Sequence, residues 1–442
     1  MTHPEGAALS PNDTTFTLHN VRVLEEDGGF SDECDVCVEE GVVSAIGRLL
    51  GRPKTAPVYD LAGLWLMPGV FDCHAHMVSS TVDERELLRT PLSYSTLETA
   101  VNLRKTLDAG VTFVRDAGGA DAGVRRAVED GLVTGPRLQV AIILLSQTGG
   151  HGDAYSERIG VEPDPVLGHL LTTVDGVDDM RVKVRRLLRD GADCIKLCTS
   201  GGVVSPHDTP WDTSFTAEEI ATAVFEAGRR GKPVMSHAIA GEGIDLAVAG
   251  GVRSIEHGTM LTERQAAAMA AAGCWLVPTL SIVNDLIDTA LAQRAEESVA
   301  APSYAIKKVL ELRDSFGECV RIAREAGVRI ATGCDWIDRR QHGRNLEELA
   351  LLLEAGLTVE EVLLAATATG AELCGVADHY GRIAPGYVFD AIVLGRDPSD
   401  TAVFRDRATV REVFKGGVAC RSDGDLLAER GPAPDRLRQE ES

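Results

Sequence analysis

The chain has 442 residues, enough for about three average domains or for one barrel of ~250 residues with a satellite. Hydrophobic residues make up 44% and charged residues 25%, the balance of a folded globular protein, which excludes disorder as the main state. The net charge of −23 argues against nucleic acid or an anionic membrane as the main partner, since both need a basic footprint.

Residues 1–14 read as a loose polar tail with no basic, apolar signal pattern, and no apolar run approaches the ~18 residues of a membrane span, so a cytoplasmic location is expected by default. Ten scattered cysteines are too sparse for a disulfide scaffold. Cys34 and Cys37 form a C-x-x-C without the second pair that a zinc ribbon needs, and read as two thiols on a strand. From 15 to 66, the runs FTLHNVRVL, DVCVEEGVVSAIGRL and VYDLAGLWLMPG alternate apolar and polar residues between glycine turns and predict short strands.

The middle of the chain repeats one grammar of polar cap, helix, glycine and apolar strand. Ser95–Glu98 has capping-box spacing before a helix that ends at Gly110, and VTFVRDAGG follows. A helix from Met180 leads through Gly191 to ADCIKL, and a box at Thr216–Glu219 leads through Gly231 to KPVMSHA. Helices from Leu246 and Thr262 lead to VRSIEHGT and CWLVPTL, and a long helical region leads through Gly327 to VRIATGCDW. Thr358–Glu361 opens a last strong helix. Residues 386–419 return to strand texture, and 426–442 read as a charged tail.

Alternating helices and buried apolar strands predict a parallel α/β sheet. Seven or more strand candidates, counting LWLMPGVFD, favour a closed (β/α)8 barrel of the TIM type over residues 67–380. The segments 15–66 and 381–425 are expected to form one small β-sandwich beside it. No dinucleotide-binding fingerprint follows a strand, and no Walker A motif occurs.

The strand ends carry the chemistry. The first barrel strand ends in Asp72-Cys73-His74-Ala75-His76, and others end in Lys196, His237, His257 and Asp335. In a TIM barrel such residues converge on the catalytic face. His74 and His76 are two apart and point to the same side of a strand. With His237, His257 and Asp335 they make a mixed nitrogen and oxygen set suited to Zn²⁺, with Mn²⁺, Fe²⁺ or Co²⁺ as alternatives. Lys196 follows an apolar strand, where a lysine is poorly placed unless it has a task. Its amine, if neutral, can react with CO₂ to give a carboxylate-like bridging ligand. Asp116, after VTFVR, reads as a structural hydrogen-bonder, and His207 and His342 as pocket rim at most.

On the phrases MPGVFDCHAH, VRDAGG, TGGHGD, IKLCTSGGVVSP, SIEHGT, ATGCD and GRIAPGYVFDAIVLGRDP, the chain resembles the amidohydrolase superfamily, in particular its imidazolonepropionase-like and Xaa-Pro dipeptidase-like members. The resemblance spans about residues 60–400. It implies a barrel with a sandwich from both termini and a site of one or two metal ions held by His74, His76, carboxylated Lys196, His237, His257 and Asp335. It implies a small-molecule substrate and a homo-oligomer. The expected reaction is hydrolysis of a carbon–nitrogen bond by metal-activated hydroxide, with Asp335 moving the proton to the leaving nitrogen. His151, in TGGHGD, matches a family position near the substrate carbonyl, where it can stabilise an oxyanion.

One departure bears on the substrate. In peptidase-like relatives the third histidine is followed by a run such as His-Ala-Tyr, whose last residue can meet a carboxylate. Here the run is Ser236-His237-Ala238-Ile239-Ala240, and Ile239 is apolar. A carboxylate beside it would lose a hydrogen bond. A neutral, rather apolar amide, urea or carbamate is therefore expected, with Ile239 and Trp336 as pocket wall. Arg339, Arg340 and Arg344 cut the other way, because an arginine after Asp335 can bind a carboxylate and favour a dipeptidase. A deaminase and a non-catalytic binding relative are further alternatives; retention of all six ligand positions weighs against the latter.

Overall fold

The computed structural model describes residues 14–48, 56–81, 86, 89–153, 171–296 and 303–420. The tails expected over 1–14 and 426–442 lie outside these residues, Thr14 excepted. The described residues form two compact units. One takes the N-terminal segment through Phe71, Thr106–Thr112 and the chain from Val359 onward; the other takes Asp72–Lys105 and Phe113–Thr358.

The N-terminal strands are β1 (Phe16–Val23), β2 (Cys34–Glu39), β3 (Val42–Gly47), β4 (Val58–Asp60) and β5 (Trp65–Pro68). β2 and β3 pair as an antiparallel hairpin whose turn falls on Glu40 (φ 50°) and Gly41 (φ 78°). Both sit in the left-handed region that the tightest hairpin turn needs to match strand twist. Cys34 and Cys37, three apart on β2, cannot share a face. Cys37 is buried with Thr17 Oγ1 at 3.7 Å from its sulfur, while Cys34 is half-buried, and both thiols are free.

The middle of the chain alternates strand and helix. In order it runs β6 (Val70–Ala75), α1 (Leu92–Asp108), β7 (Val111–Asp116), α2 (Ala122–Glu129), β8 (Arg137–Val140), β9 (Leu144–Ser146) and β10 (Leu171–Thr173). It continues with α3 (Val177–Arg189), β11 (Ile195–Cys198), α4 (Ala217–Gly228), β12 (Val234–Ala238), α5 (Glu242–Gly250) and β13 (Ser254–His257). Then come α6 (Glu263–Ala272), β14 (Trp275–Val277), α7 (Leu280–Glu296), α8 (Ser303–Leu312), α9 (Glu318–Glu325) and α10 (Glu347–Glu354). The strands form two sheets, β6-β7-β8 and β10-β9-β11-β12-β13-β14, in which β7–β8 and all the neighbours from β9 to β14 pair in parallel. Every residue of β6, β7, β11, β12, β13 and β14 is buried, as parallel strands covered on both faces require.

The capping boxes at Thr216–Glu219 and Thr262–Gln265 open α4 and α6, each with both reciprocal hydrogen bonds. Ser95–Glu98 is not used this way. α1 starts just after Pro91, whose ring presets the first turn, and Ser95 lies inside the helix. VRIATGCDW also departs from expectation. Instead of a ladder it makes one parallel bridge, Leu276 to Ile330, followed by Ala331 N–H to Leu276 O, Cys73 N–H to Thr332 O and Asp335 N–H to His74 O. A Cβ on Gly333 would come within 2.5 Å of Val277 and 2.8 Å of His74, so this segment runs too close to its neighbours for any other residue.

Glu348 on α10 is fully buried and caps α7 from a distance. Its Oε1 accepts from Leu280 N (3.0 Å), and its Oε2 accepts from Ser281 N and Ser281 Oγ (both 2.7 Å). Glu348→Gln must aim an amide N–H at one of two backbone N–H groups. It is expected to cost about 1–3 kcal/mol in urea unfolding, and an unchanged midpoint would contradict the capping role.

After α10 the chain returns to the first unit through α11 (Val359–Ala365), α12 (Ala368–Leu373), β15 (Ala391–Leu394), β16 (Val410–Lys415) and β17 (Val418–Ala419). β15 pairs antiparallel with β5, Ile392 opposite Met67, which joins both ends of the chain in one eight-stranded sheet. The order is β17-β16-β15-β5-β1-β2-β3, with β4 on β1. Phe16 packs its ring 5.6 Å from Phe389 and 5.5 Å from Phe414, so residues almost 400 positions apart share one apolar core. No helix among the described residues is long and apolar enough to cross a membrane.

Candidate metal centre

β6 delivers His74 and His76 to one place. His74 Nδ1 lies 2.8 Å from Glu256 Oε2; a carboxylate accepts, so Nδ1 carries the proton and Nε2 is bare. That Nε2 is 3.1 Å from Lys196 Nζ and 3.5 Å from Asp335 Oδ1. His76 Nδ1 donates to Gly118 O (2.8 Å), and its Nε2 lies 3.1 Å from Asp335 Oδ1. His257 Nδ1 is held by Thr279 Oγ1 at 2.6 Å. In each ring an outer partner fixes Nδ1 and leaves Nε2 for a ligand, as is usual around bound metals. One ligand atom each from His74, His257 and Asp335 lie within 4.8 Å of one another. His237 joins through its ring, 4.5 Å from that of His257, with Nε2 3.2 Å from Gly201 O.

The electrostatics suit a cation. Burial lowers the pKa of His74 and His237 well below the ordinary value and pushes His257 down to about 4, so all three are neutral imidazoles with a lone pair to give. Burial works against charge on His76 too, but Asp335 outweighs it and raises that pKa. Asp335 is held far below the usual carboxylate range: burial raises it, and His74 and His76 overcome that. Lys196, 1% exposed, is lowered chiefly by burial, and among the described residues no carboxylate lies within ion-pair distance of its Nζ. A buried ammonium whose nearest partner is an imidazole, with Glu256 and Asp335 acting on it only from a distance, is costly. The donor set fits a divalent cation.

The backbone is strained where these groups meet. His257 (φ 73°), its partner Thr279 (φ 48°) and Asp335 (φ 57°) all lie in the left-handed region. Such residues cost about 1–3 kcal/mol each and cluster at functional sites. Asp72 clamps the strained segment: its Oδ1 accepts from His74 N (3.2 Å) and Cys334 N (3.1 Å), and its Oδ2 from Asn345 Nδ2 (2.8 Å).

The remaining expected residues are placed as follows. His151 is half-buried, stacks on His237 with ring centroids 4.2 Å apart, and sets Nδ1 2.9 Å from Ser205 Oγ. Ile239 packs in an apolar cluster with Val203, Ile282, Val283 and Val309. Trp336 is buried, with no hydrogen-bond partner for its Nε1 among the described residues, and Arg344 lies 5.4 Å from its ring. All three arginines after Asp335 are engaged within the chain. Arg339 meets Glu86 (2.6 Å) and Glu98 (2.9 Å), Arg340 meets Asp338 (2.9 Å), and Arg344 meets Asp285 (3.0 Å) and Glu347 (2.7 Å). Asp116 is the expected hydrogen-bonder, accepting from Met77, Gly118 and Ala120 N–H. His342 is not rim but buried, its Nε2 2.8 Å from Ser79 O.

Sequence reasoning passed over Arg115 and Glu256, which meet under the site. Arg115 Nη2 lies 3.0 and 3.2 Å from the two Glu256 oxygens, and Glu256 in turn holds His74. The signal was the one used for Lys196, a charge inside an apolar strand.

Residues 65–420 match the amidohydrolase family. The chain is 33% identical over 375 residues to ochratoxinase of Aspergillus niger, covering 81% of this chain and 76% of the relative. A crystal structure of a prolidase complexed with N-methylphosphonate-L-proline superposes with a TM-score of 0.85 at 33% identity, covering 92% of this chain and 99% of the other. A Xaa-Pro dipeptidase with methionine in its active site gives 0.82 at 25% identity, covering 92% and 100%. The neighbours make the parallel α/β part TIM-barrel-like.

Proposed function

Because the chain belongs to the amidohydrolase family and is a hydrolase of carbon–nitrogen bonds, we propose that it cleaves a small neutral amide, urea or carbamate. The site sits on a closed (β/α)8 barrel over residues 67–380, with 15–66 and 381–425 as its sandwich. His74, His76, Lys196, His237, His257 and Asp335 would hold one or two divalent ions, zinc foremost, with Lys196 as a carbamate. When bound, such an ion supplies Lewis acidity for the carbonyl oxygen and acidifies water to a pKa of about 7. Asp335 Oδ1 takes the proton of the attacking water and carries it to the leaving nitrogen. Glu256, Gly118 O and Thr279 orient His74, His76 and His257, and His151 faces the substrate beside His237.

The observation that carries the neutral substrate is the pairing of Arg339, Arg340 and Arg344 with acids of their own chain, together with the apolar surroundings of Ile239. A substrate carboxylate at one of these arginines would compete with an existing ion pair. A second reading, a dipeptidase, is favoured by the 33% identity to the prolidase that carries a phosphonate of proline.

Two measurements on one preparation test the metal and then decide between the two substrates. Metal per chain, determined before and after chelation, should fall from one or two ions to none, with activity lost and then restored by added Zn²⁺, Mn²⁺ or Co²⁺. Retained activity in the stripped protein would remove the metal from the mechanism. On the loaded enzyme, kcat/KM for neutral aryl amides and ureas should exceed that for Xaa-Pro dipeptides. The reverse order would replace the neutral-substrate reading with the dipeptidase.

A further inference from the structure

The phrase GGVVSPHDTP, between β11 and α4, supplies no metal ligand, yet Ser205 and Asp208 within it are buried and belong to one polar chain that ends on His151. Lys308, reaching in from α8, donates to Gly202 O (3.0 Å) and Ser205 O (2.7 Å) and lies 3.4 Å from Asp208 Oδ1. Asp208 accepts Gly202 N at Oδ2 (3.0 Å) and the Ser205 hydroxyl at Oδ1. All the groups around Asp208 are donors, so both its oxygens act as acceptors. The single proton of the Ser205 hydroxyl is thereby committed to Asp208. Its oxygen is left to accept, and the group 2.9 Å away is His151 Nδ1. The ring has little room to turn. A Cβ on Gly202 would fall 2.0 Å from His151 Nδ1, so the imidazole lies directly against that glycine while stacking on His237 at an interplanar angle of 14°.

We propose that Ser205, Asp208 and Lys308 are positioning residues that hold His151 with its proton on Nδ1, so that the ring meets the substrate through Nε2 as a hydrogen-bond acceptor. This deepens the reading above and rests on its placement of His151 at the substrate. It replaces the oxyanion role expected from sequence, because a ring whose single proton is held on Nδ1 by Ser205 has no donor at Nε2. An acceptor there pairs with a substrate N–H. The substrate class narrows to amides, ureas or carbamates that carry a hydrogen on nitrogen, and N-alkylated analogues lose that bond.

The tautomer can be read without turnover. In protein labelled with ¹⁵N-histidine, with the His151 signals assigned by their absence in His151→Asn, the wild type should show a protonated Nδ1 and a bare Nε2. Ser205→Ala should release the ring to the other tautomer or to a mixture and lower kcat about 10- to 100-fold, the usual range for a lost outer partner. Ser205→Thr, which keeps the hydroxyl, should restore both readouts. A wild-type His151 protonated on Nε2, or an unchanged tautomer in Ser205→Ala, would overturn the positioning chain whatever the substrate proves to be. Should Ser205→Ala fail to fold, the wild-type spectrum alone still decides. Equal kcat/KM for an anilide and its N-methyl analogue would overturn the acceptor role while leaving the neutral-substrate reading intact.

Discussion

Asp335→Asn is expected to lower kcat by about 10³-fold or more while the protein stays folded. Asparagine has the same shape and is well tolerated in the left-handed region, where Asp335 sits at φ 57°, so the strained backbone survives the change. The clamp from Asp72 to Cys334 N and Asn345 uses no atom of the Asp335 side chain and is untouched. What disappears is the anion. Asp335 Oδ1 is 3.1 Å from His76 Nε2 and 3.5 Å from His74 Nε2, and its pKa lies below the usual carboxylate range despite its burial. An amide in that place neither takes a proton nor offers a charged ligand oxygen. The check is kcat and metal content on one sample, with circular dichroism for the fold. A variant that keeps its helices and more than about a tenth of wild-type kcat would remove Asp335 from the proton path.

The residues that meet at the candidate metal centre are legible because they stand out locally. His74 and His76 are two apart on a strand, and Lys196 is a charge in an apolar run; both are local facts and need no knowledge of the fold. Their convergence was legible only through the recurring strand-end position. Ser205, Asp208 and Lys308 could not be found in this way, since Lys308 lies 100 residues beyond Asp208 and meets it only when α8 is packed. The fold follows the same division. The box at Thr216 rests on neighbours three residues apart and folds as written, whereas Pro91 overrides the box at Ser95. The segment from Val328 has the composition of a strand. The close approach at Gly333 and the turn of Asp335 prevent a regular ladder, and both arise from packing partners far away in sequence.

Arg115→Met is expected to destabilise the protein by about 3–5 kcal/mol, the cost of breaking a buried ion pair on one side only. Arg115 is 1% exposed and Glu256 is fully buried. The guanidinium's bonds include Nε to Cys73 O (2.7 Å), Nη1 to Ser254 Oγ (3.1 Å), and Nη2 to both Glu256 oxygens. Methionine fills much of the volume but satisfies none of these groups, and the buried Glu256 keeps the hydrogen bonds of Ser254 and His74 while losing its guanidinium partner. Urea unfolding at constant m-value measures the loss; less than about 1 kcal/mol would mean that Glu256 is relieved by another group. Glu256→Gln separates the two tasks of this carboxylate. An amide cannot match the charge of Arg115, so stability falls again, but its oxygen can still accept from His74 Nδ1. If Glu256 acts on the site only by orienting that ring, metal affinity in Glu256→Gln should change less than the 10- to 100-fold typical of a lost outer partner, roughly tracking the hydrogen bond that remains. If its charge is what strengthens His74 as a ligand, the full loss should appear in the metal titration even where the histidine is still held.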